Sequence, residues 1–122
     1  MRRPLLIVDD DPSVRHGLRA VFESMGLRVF EAATAAEAER SLESHEFGVV
    51  LLDLSLAGPH GREGLEVLDA ARRAGVTAPI VLFTAFGSDA LRTDAIARGA
   101  SDLWSKGLPI EELVRRVHEI AP

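Results

Sequence analysis

Three apolar runs in the chain each stop at residues able to handle a phosphate or a hard cation. Leu5-Leu6-Ile7-Val8 leads into Asp9-Asp10, Val49-Val50-Leu51-Leu52 into Asp53, and Ile80-Val81-Leu82-Phe83 into Thr84, while a fourth short stretch, Asp102 to Ser105, delivers Lys106. Buried parallel strands read as continuous apolar runs, and open α/β sheets hold their ligands beyond the carboxyl ends of the strands. The five polar residues are therefore expected at one edge. Closely packed carboxylates either share a proton or hold a hard cation. Magnesium suits such a set, because it takes oxygen ligands and prefers few carboxylates supplemented by water and phosphate oxygens. Asp53, alone at its strand end, is the expected nucleophile, since a carboxylate can form an acyl phosphate. A metal, Lys106 as a point charge and the Thr84 hydroxyl would supply the positioning and charge neutralisation that phosphoryl transfer needs.

The elements that must position these residues alternate strand and helix five times, the pattern of a parallel α/β sheet. Asp11 is expected to cap a helix that begins at Pro12, buries Val14, Leu18, Val21, Phe22 and Met25, and stops at Gly26. A strand over 28–32 follows, and then Thr34-Ala35-Ala36-Glu37 reads as a capping box opening a helix that runs to about His45. The third strand spans roughly 48–54, and the third helix runs from near Glu63 to just before Gly75. Pro79 opens the fourth strand, residues 88–98 form the fourth helix, Gly99 closes it, and Pro109 starts the fifth. Right-handed crossovers place helices on both faces of the sheet.

The 122 residues suit a single domain, 1–122. Nineteen acidic against fourteen basic side chains leave a net charge of −5, which argues against a nucleic-acid or anionic-membrane binder. Without cysteine there is neither a disulfide nor a thiolate site. No stretch has the length of a membrane span, and Arg2-Arg3 precede too few apolar residues for a leader, so a cytoplasmic protein is expected. His16, His45, His60 and His118 lack ligand-like spacing and are expected at the surface, with His60 alone near Asp53. The glycines of residues 58–64 match no nucleotide fingerprint.

Taken in order, Leu6-Ile7-Val8-Asp9-Asp10-Asp11-Pro12, Leu51-Leu52-Asp53-Leu54, Gly64-Leu65-Glu66-Val67-Leu68, Phe83-Thr84-Ala85-Phe86-Gly87, Gly99-Ala100-Ser101-Asp102 and Lys106 resemble the receiver domain of bacterial two-component response regulators. The resemblance implies a flavodoxin-like (βα)5 fold with a parallel sheet of order 2-1-3-4-5. It also implies roles. Asp53 takes a phosphoryl group from a phosphohistidine of a sensor kinase or phosphotransfer protein. Asp10, Asp53 and the backbone carbonyl of Ser55 ligate Mg²⁺, with Asp9 assisting from behind, and Thr84 and Lys106 contact phosphate oxygens. Ala85 keeps access open, and Ser55 and Phe86 tune dephosphorylation. Phosphorylation then alters a partner surface formed by the fourth helix, fifth strand and fifth helix, with Thr84, Leu103 and Trp104 as switch and partner-face residues. The expected target is an unspecified downstream protein or an output domain outside these residues, and a monomer or weak homodimer is expected.

The chain also departs from that family. Gly64 stands eleven positions after Asp53 where the family has eight, so the intervening loop is longer, and Ala57 replaces the usual proline. Leu103 occupies the place of an aromatic residue whose ring ordinarily follows the threonine inward. Trp104 points to the opposite face and cannot substitute for it. Gly107 replaces the proline that commonly follows the lysine, which implies a trans, more flexible loop. These departures keep a second reading open: a protein-interaction adaptor with weak or no phosphate-driven switching. A phosphatase acting on external phosphomonoesters is disfavoured, because Ser55 stands where a second acid would be needed.

Overall fold

The computed structural model describes residues 2–58 and 61–121. Its elements follow the alternation read above. They are β1 (Leu5–Val8), α1 (Pro12–Ser24), β2 (Val29–Ala32), α2 (Ala35–Ser44), β3 (Val49–Asp53), α3 (Glu63–Arg73), β4 (Ile80–Thr84), α4 (Asp89–Ala97), β5 (Asp102–Ser105) and α5 (Ile110–Ile120). All strand pairs are parallel, in the order β2-β1-β3-β4-β5. Among the described residues no helix is long and apolar enough to cross a membrane.

Local chemistry sets the helix starts. Asp11 caps α1 by accepting from the Ser13 amide at 2.8 Å, with Pro12 in the first turn. Thr34 caps α2 through the Glu37 amide at 3.1 Å, while the Glu37 carboxylate reaches back to the Ala33 amide at 3.3 Å. Ser88 caps α4 through the Leu91 amide. Gly26, Gly75 and Gly99 follow α1, α3 and α4 with positive φ, the left-handed turn that an L side chain resists.

Strand alternation divides the interior in two. Leu6, Val8, Val50, Leu52, Ile80, Leu82 and Leu103 face one way, against Ala38 of α2, Leu65, Leu68 and Ala71 of α3, and Leu91 and Ala95 of α4. Leu5, Ile7, Val49, Leu51, Val81, Phe83 and Trp104 face the other, against Phe22 of α1 and Leu113 and Val117 of α5. The central strands are thus apolar on both faces, which is why they read as unbroken runs. Of the α1 stripe only Phe22 is fully buried; Val14, Leu18, Val21 and Met25 are half-buried. Two helices share this face where three cover the other, and a groove of about 270 Å³ stays open between α1 and α5.

Thr84, Leu103 and Trp104, expected as switch and partner-face residues, are all buried, Trp104 at 3% exposure, so none offers a side chain for direct contact with a partner. Trp104 is enclosed because its strand position points beneath α5. Phe83 meets it edge-on with ring centroids 6.2 Å apart, the Arg116 guanidinium lies 5.7 Å from its centroid, and its Nε1 donates to Asp102 at 3.0 Å.

Candidate functional site

Sheet register brings the strand-end residues together. Val8 pairs with Leu52, so Asp9 and Asp53 emerge side by side, and the pairing of Thr84 with Ser105 carries Lys106 to the same rim. Backbone bonds continue the alignment past the strands, from the Leu54 amide to the Phe83 carbonyl and from the Lys106 amide to the Thr84 carbonyl, both 2.9 Å. Asp9, Asp53 and Thr84 are the buried polar side chains here, at 3, 4 and 5% exposure, while Asp10 is exposed.

Lys106 spans the two buried acids. Its Nζ lies 3.0 Å from Asp9 Oδ2 and 3.2 Å from Asp53 Oδ2. The remaining oxygens are also engaged: Asp9 Oδ1 accepts from the Asp11 amide at 2.9 Å, and Asp53 Oδ1 from the Ser55 amide at 3.1 Å. Arg15 donates to the Asp9 carbonyl at 2.8 Å and pairs with Glu31 at 3.1 Å, tying the β1 end to α1 and β2. Thr84 Oγ1 accepts from the Phe86 amide at 3.1 Å, a bond that does not use the hydroxyl proton. Phe86 itself is 74% exposed beside it.

Burial, reinforced by the charge of Asp9, pushes the Asp53 carboxyl up to about 6 against the pull of the Ser55 amide and Lys106. Burial opposes the charge on Lys106, yet its hydrogen bond to Asp9 and the two carboxylate charges raise the ammonium above its usual range. The Asp53 shift is chiefly the cost of burying its charge, and the Lys106 shift reflects its two carboxylate neighbours.

One oxygen each from Asp9, Asp10 and Asp53 lies within 4.8 Å of the others. Three carboxylates with a single ammonium between two of them form a hard, oxygen-only donor set with spare negative charge. That composition fits Mg²⁺.

The lengthened β3–α3 loop folds back on this edge. Ser55 Oγ donates to the Gly61 carbonyl at 2.6 Å, and the Glu63 carboxylate accepts from the amides of Leu56 and Ala57 at 3.1 and 3.2 Å. Amides of Glu63 itself, Ala57, Leu56 and Arg62 hold that carboxyl below the usual range. Gly64 is required for steric reasons, since a Cβ there would collide with the Asp53 carbonyl and the Leu54 backbone. His60, expected near Asp53, lies outside the described residues.

Sequence reasoning thus identified the residues that converge, Asp9, Asp10, Asp53, Thr84 and Lys106, with Ser55 adjoining. It missed Arg15 and the folded-back carboxylate of Glu63. An acid in the first turn of a helix whose N-cap, Arg62, has no side-chain acceptor was the available signal. Every peptide bond among the described residues is trans, in keeping with Gly107 after the lysine.

The pattern of the response regulator receiver domain matches residues 5–118. The chain is 35% identical over 112 residues to the transcriptional activator protein PfeR of Pseudomonas aeruginosa, covering 92% of this chain and 35% of that one. It is 34% identical over 116 residues to the swarming motility regulation protein RssB of Serratia marcescens, covering 95% and 52%. It therefore spans about half or less of the length of these curated relatives. Among solved structures, a two-component response regulator from Clostridium difficile aligns with a TM-score of 0.88 at 26% identity, covering 98% of this chain and 95% of that one. The beryllofluoride-activated N-terminal receiver domain of Klebsiella pneumoniae RstA aligns with 0.83 at 28%, covering 95% and 96%. The sheet order, the acidic strand ends and these matches agree: the chain belongs to the receiver domains of two-component response regulators.

Proposed function

We propose that this receiver takes a phosphoryl group onto Asp53 from a phosphohistidine of a sensor kinase or histidine phosphotransfer protein in the cytoplasm, and passes the change to a downstream protein or output domain. The observation that carries the reading is the convergence of Asp9, Asp10 and Asp53 at one strand edge with Lys106 bridging two of them. A carboxyl pushed up to about 6 is still mostly ionised at neutral pH, so Asp53 is available as a nucleophile. Its oxygen bonds to phosphorus as the phosphorus–nitrogen bond breaks, and the histidine imidazole leaves neutral after gaining a proton. Lys106 and the hydroxyl proton of Thr84 hold the phosphoryl oxygens in place of the charge lost at Asp53. Magnesium held by Asp10, Asp53 and the Ser55 carbonyl, with Asp9 behind, would neutralise the phosphoryl oxygens. No external substrate is turned over in this scheme, and the acyl phosphate on Asp53 returns to carboxylate by hydrolysis, at a rate tuned by Ser55 and the exposed Phe86.

Intact mass after incubation with Mg²⁺ and a small phosphoramidate tests the reading. One phosphoryl addition is expected for the parent and none for Asp53→Asn or without Mg²⁺. Equal uptake by Asp53→Asn would overturn it. The adaptor reading draws on one observation, the burial of Leu103 where the family has a mobile ring, and a parent protein that takes up no phosphate would favour it.

A further inference from the structure

The loop between β3 and α3, longer than the family pattern, is closed by two side chains, Glu63 and Ser55. Glu63 is the first residue of α3, yet its carboxylate points back across the loop to accept from Leu56 and Ala57. The outgoing limb is tied to the incoming limb a second time by Ser55 Oγ and the Gly61 carbonyl. Room for the carboxylate depends on Gly61, where a Cβ would collide with both carboxylate oxygens. These bonds fix the backbone on either side of the Ser55–Leu56 peptide: Ser55 by its amide on Asp53 and its hydroxyl on Gly61, Leu56 by Glu63. That peptide contains the Ser55 carbonyl.

We infer that Glu63 is a positioning residue for the cation site, its carboxylate clasping the lengthened loop so that the Ser55 carbonyl is held toward the Asp10 and Asp53 side. The inference rests on the metal-dependent reading above. A loop of this length without the clasp has many conformations in which that carbonyl faces solvent, and ordering it would oppose cation binding. Partners that orient a ligand from behind typically contribute 10–100-fold to metal affinity. Glu63 touches none of the reacting atoms. Its loss should therefore appear first in cation affinity and only through that in phosphoryl uptake.

The test is Mg²⁺ affinity of the full chain by titration calorimetry, with Mn²⁺ relaxation enhancement as a second probe, on the parent, Glu63→Ala, Glu63→Gln and Gly61→Ala. Thermal melts and amide exchange accompany each titration. Glu63→Ala and Gly61→Ala are expected to weaken the cation by about tenfold, with faster exchange at the Leu56 and Ala57 amides and an unchanged melt. Glu63→Gln, which retains one acceptor oxygen, should recover part of the affinity. Saturating Mg²⁺ should restore the phosphoryl uptake rate of Glu63→Ala. Affinities within about twofold of the parent in folded Glu63→Ala would overturn the inference. Should Glu63→Ala fail to fold, Gly61→Ala decides in the same way, because it displaces the carboxylate without removing it. A parent that binds no Mg²⁺ would overturn the functional reading itself, an outcome distinct from equal binding by parent and variants.

Discussion

The acidic edge, at the ends of β1 and β3, and β5, separated from β3 by β4, treat the family pattern oppositely. At the edge every residue type associated with phosphoryl chemistry is present: two buried carboxylates joined by a bridging ammonium, and beside them a hydroxyl that accepts from the Phe86 amide. On β5 the family's ring is gone. Leu103 fills the α2–α3–α4 side of the core, and Trp104 fills the α1–α5 side, locked to Phe83 and lying beneath Arg116. Chemistry at the edge depends on a few atoms held within hydrogen-bonding distance, so substitutions there are felt at once. A readout needs only two packings of similar energy, which different side chains can supply.

The largest expected effect that separates the two regions is Trp104→Ala. Removing this buried ring should cost about 3–5 kcal/mol of stability, read by urea denaturation, while the fraction still folded takes up phosphate at the parent rate. A loss of uptake in folded protein would show that the edge leans on Trp104 after all. Next is Lys106→Ala, which strands two buried carboxylates. Its metal-free stability should fall by roughly 1–3 kcal/mol, part of it regained with Mg²⁺, whereas Trp104→Ala should regain nothing specific.

A pH series sharpens the same contrast. The folded Asp53 carboxyl lies near 6 against its ordinary 3.8, so the folded state binds its proton more tightly than the unfolded chain. Its contribution to stability is therefore lost as pH rises between about 4 and 6. In metal-free buffer Asp53→Asn should melt progressively higher than the parent across that window and hold the gain above it; a flat difference from pH 4 to 8 would contradict the shift. The smallest effect is expected for Leu103→Phe. Gly87 leaves space beside Leu103, with a Cβ there coming within 3.6 Å of its Cδ2. The larger ring should cost about 1 kcal/mol and leave uptake unchanged. An altered rate would mean that the Leu103 side reports on Thr84 as the family's aromatic does.

Much of this molecule was legible as text. Unbroken apolar runs ending in Asp, Asp and Thr announce buried parallel strands with a polar edge, because period-two alternation presses both faces of each strand against helices. Asp11-Pro12 and Thr34 announce helix starts, because a short side-chain oxygen satisfies amides that the helix cannot. The strand order was carried by family resemblance, and the observed sheet agrees with it.

The sequence alone determined which residues meet and what chemistry their types allow, since strand ends and turn residues are local properties. Only the tertiary structure decided how completely Trp104 is enclosed, because that depends on where α5 lies over β5. It likewise decided that Arg15 grips the Asp9 carbonyl and that Glu63 turns back on its own loop. Those bonds join helix side chains to backbone six and seven residues earlier, in the irregular segments after β1 and β3, and no sequence period dictates how those segments turn back toward the helix.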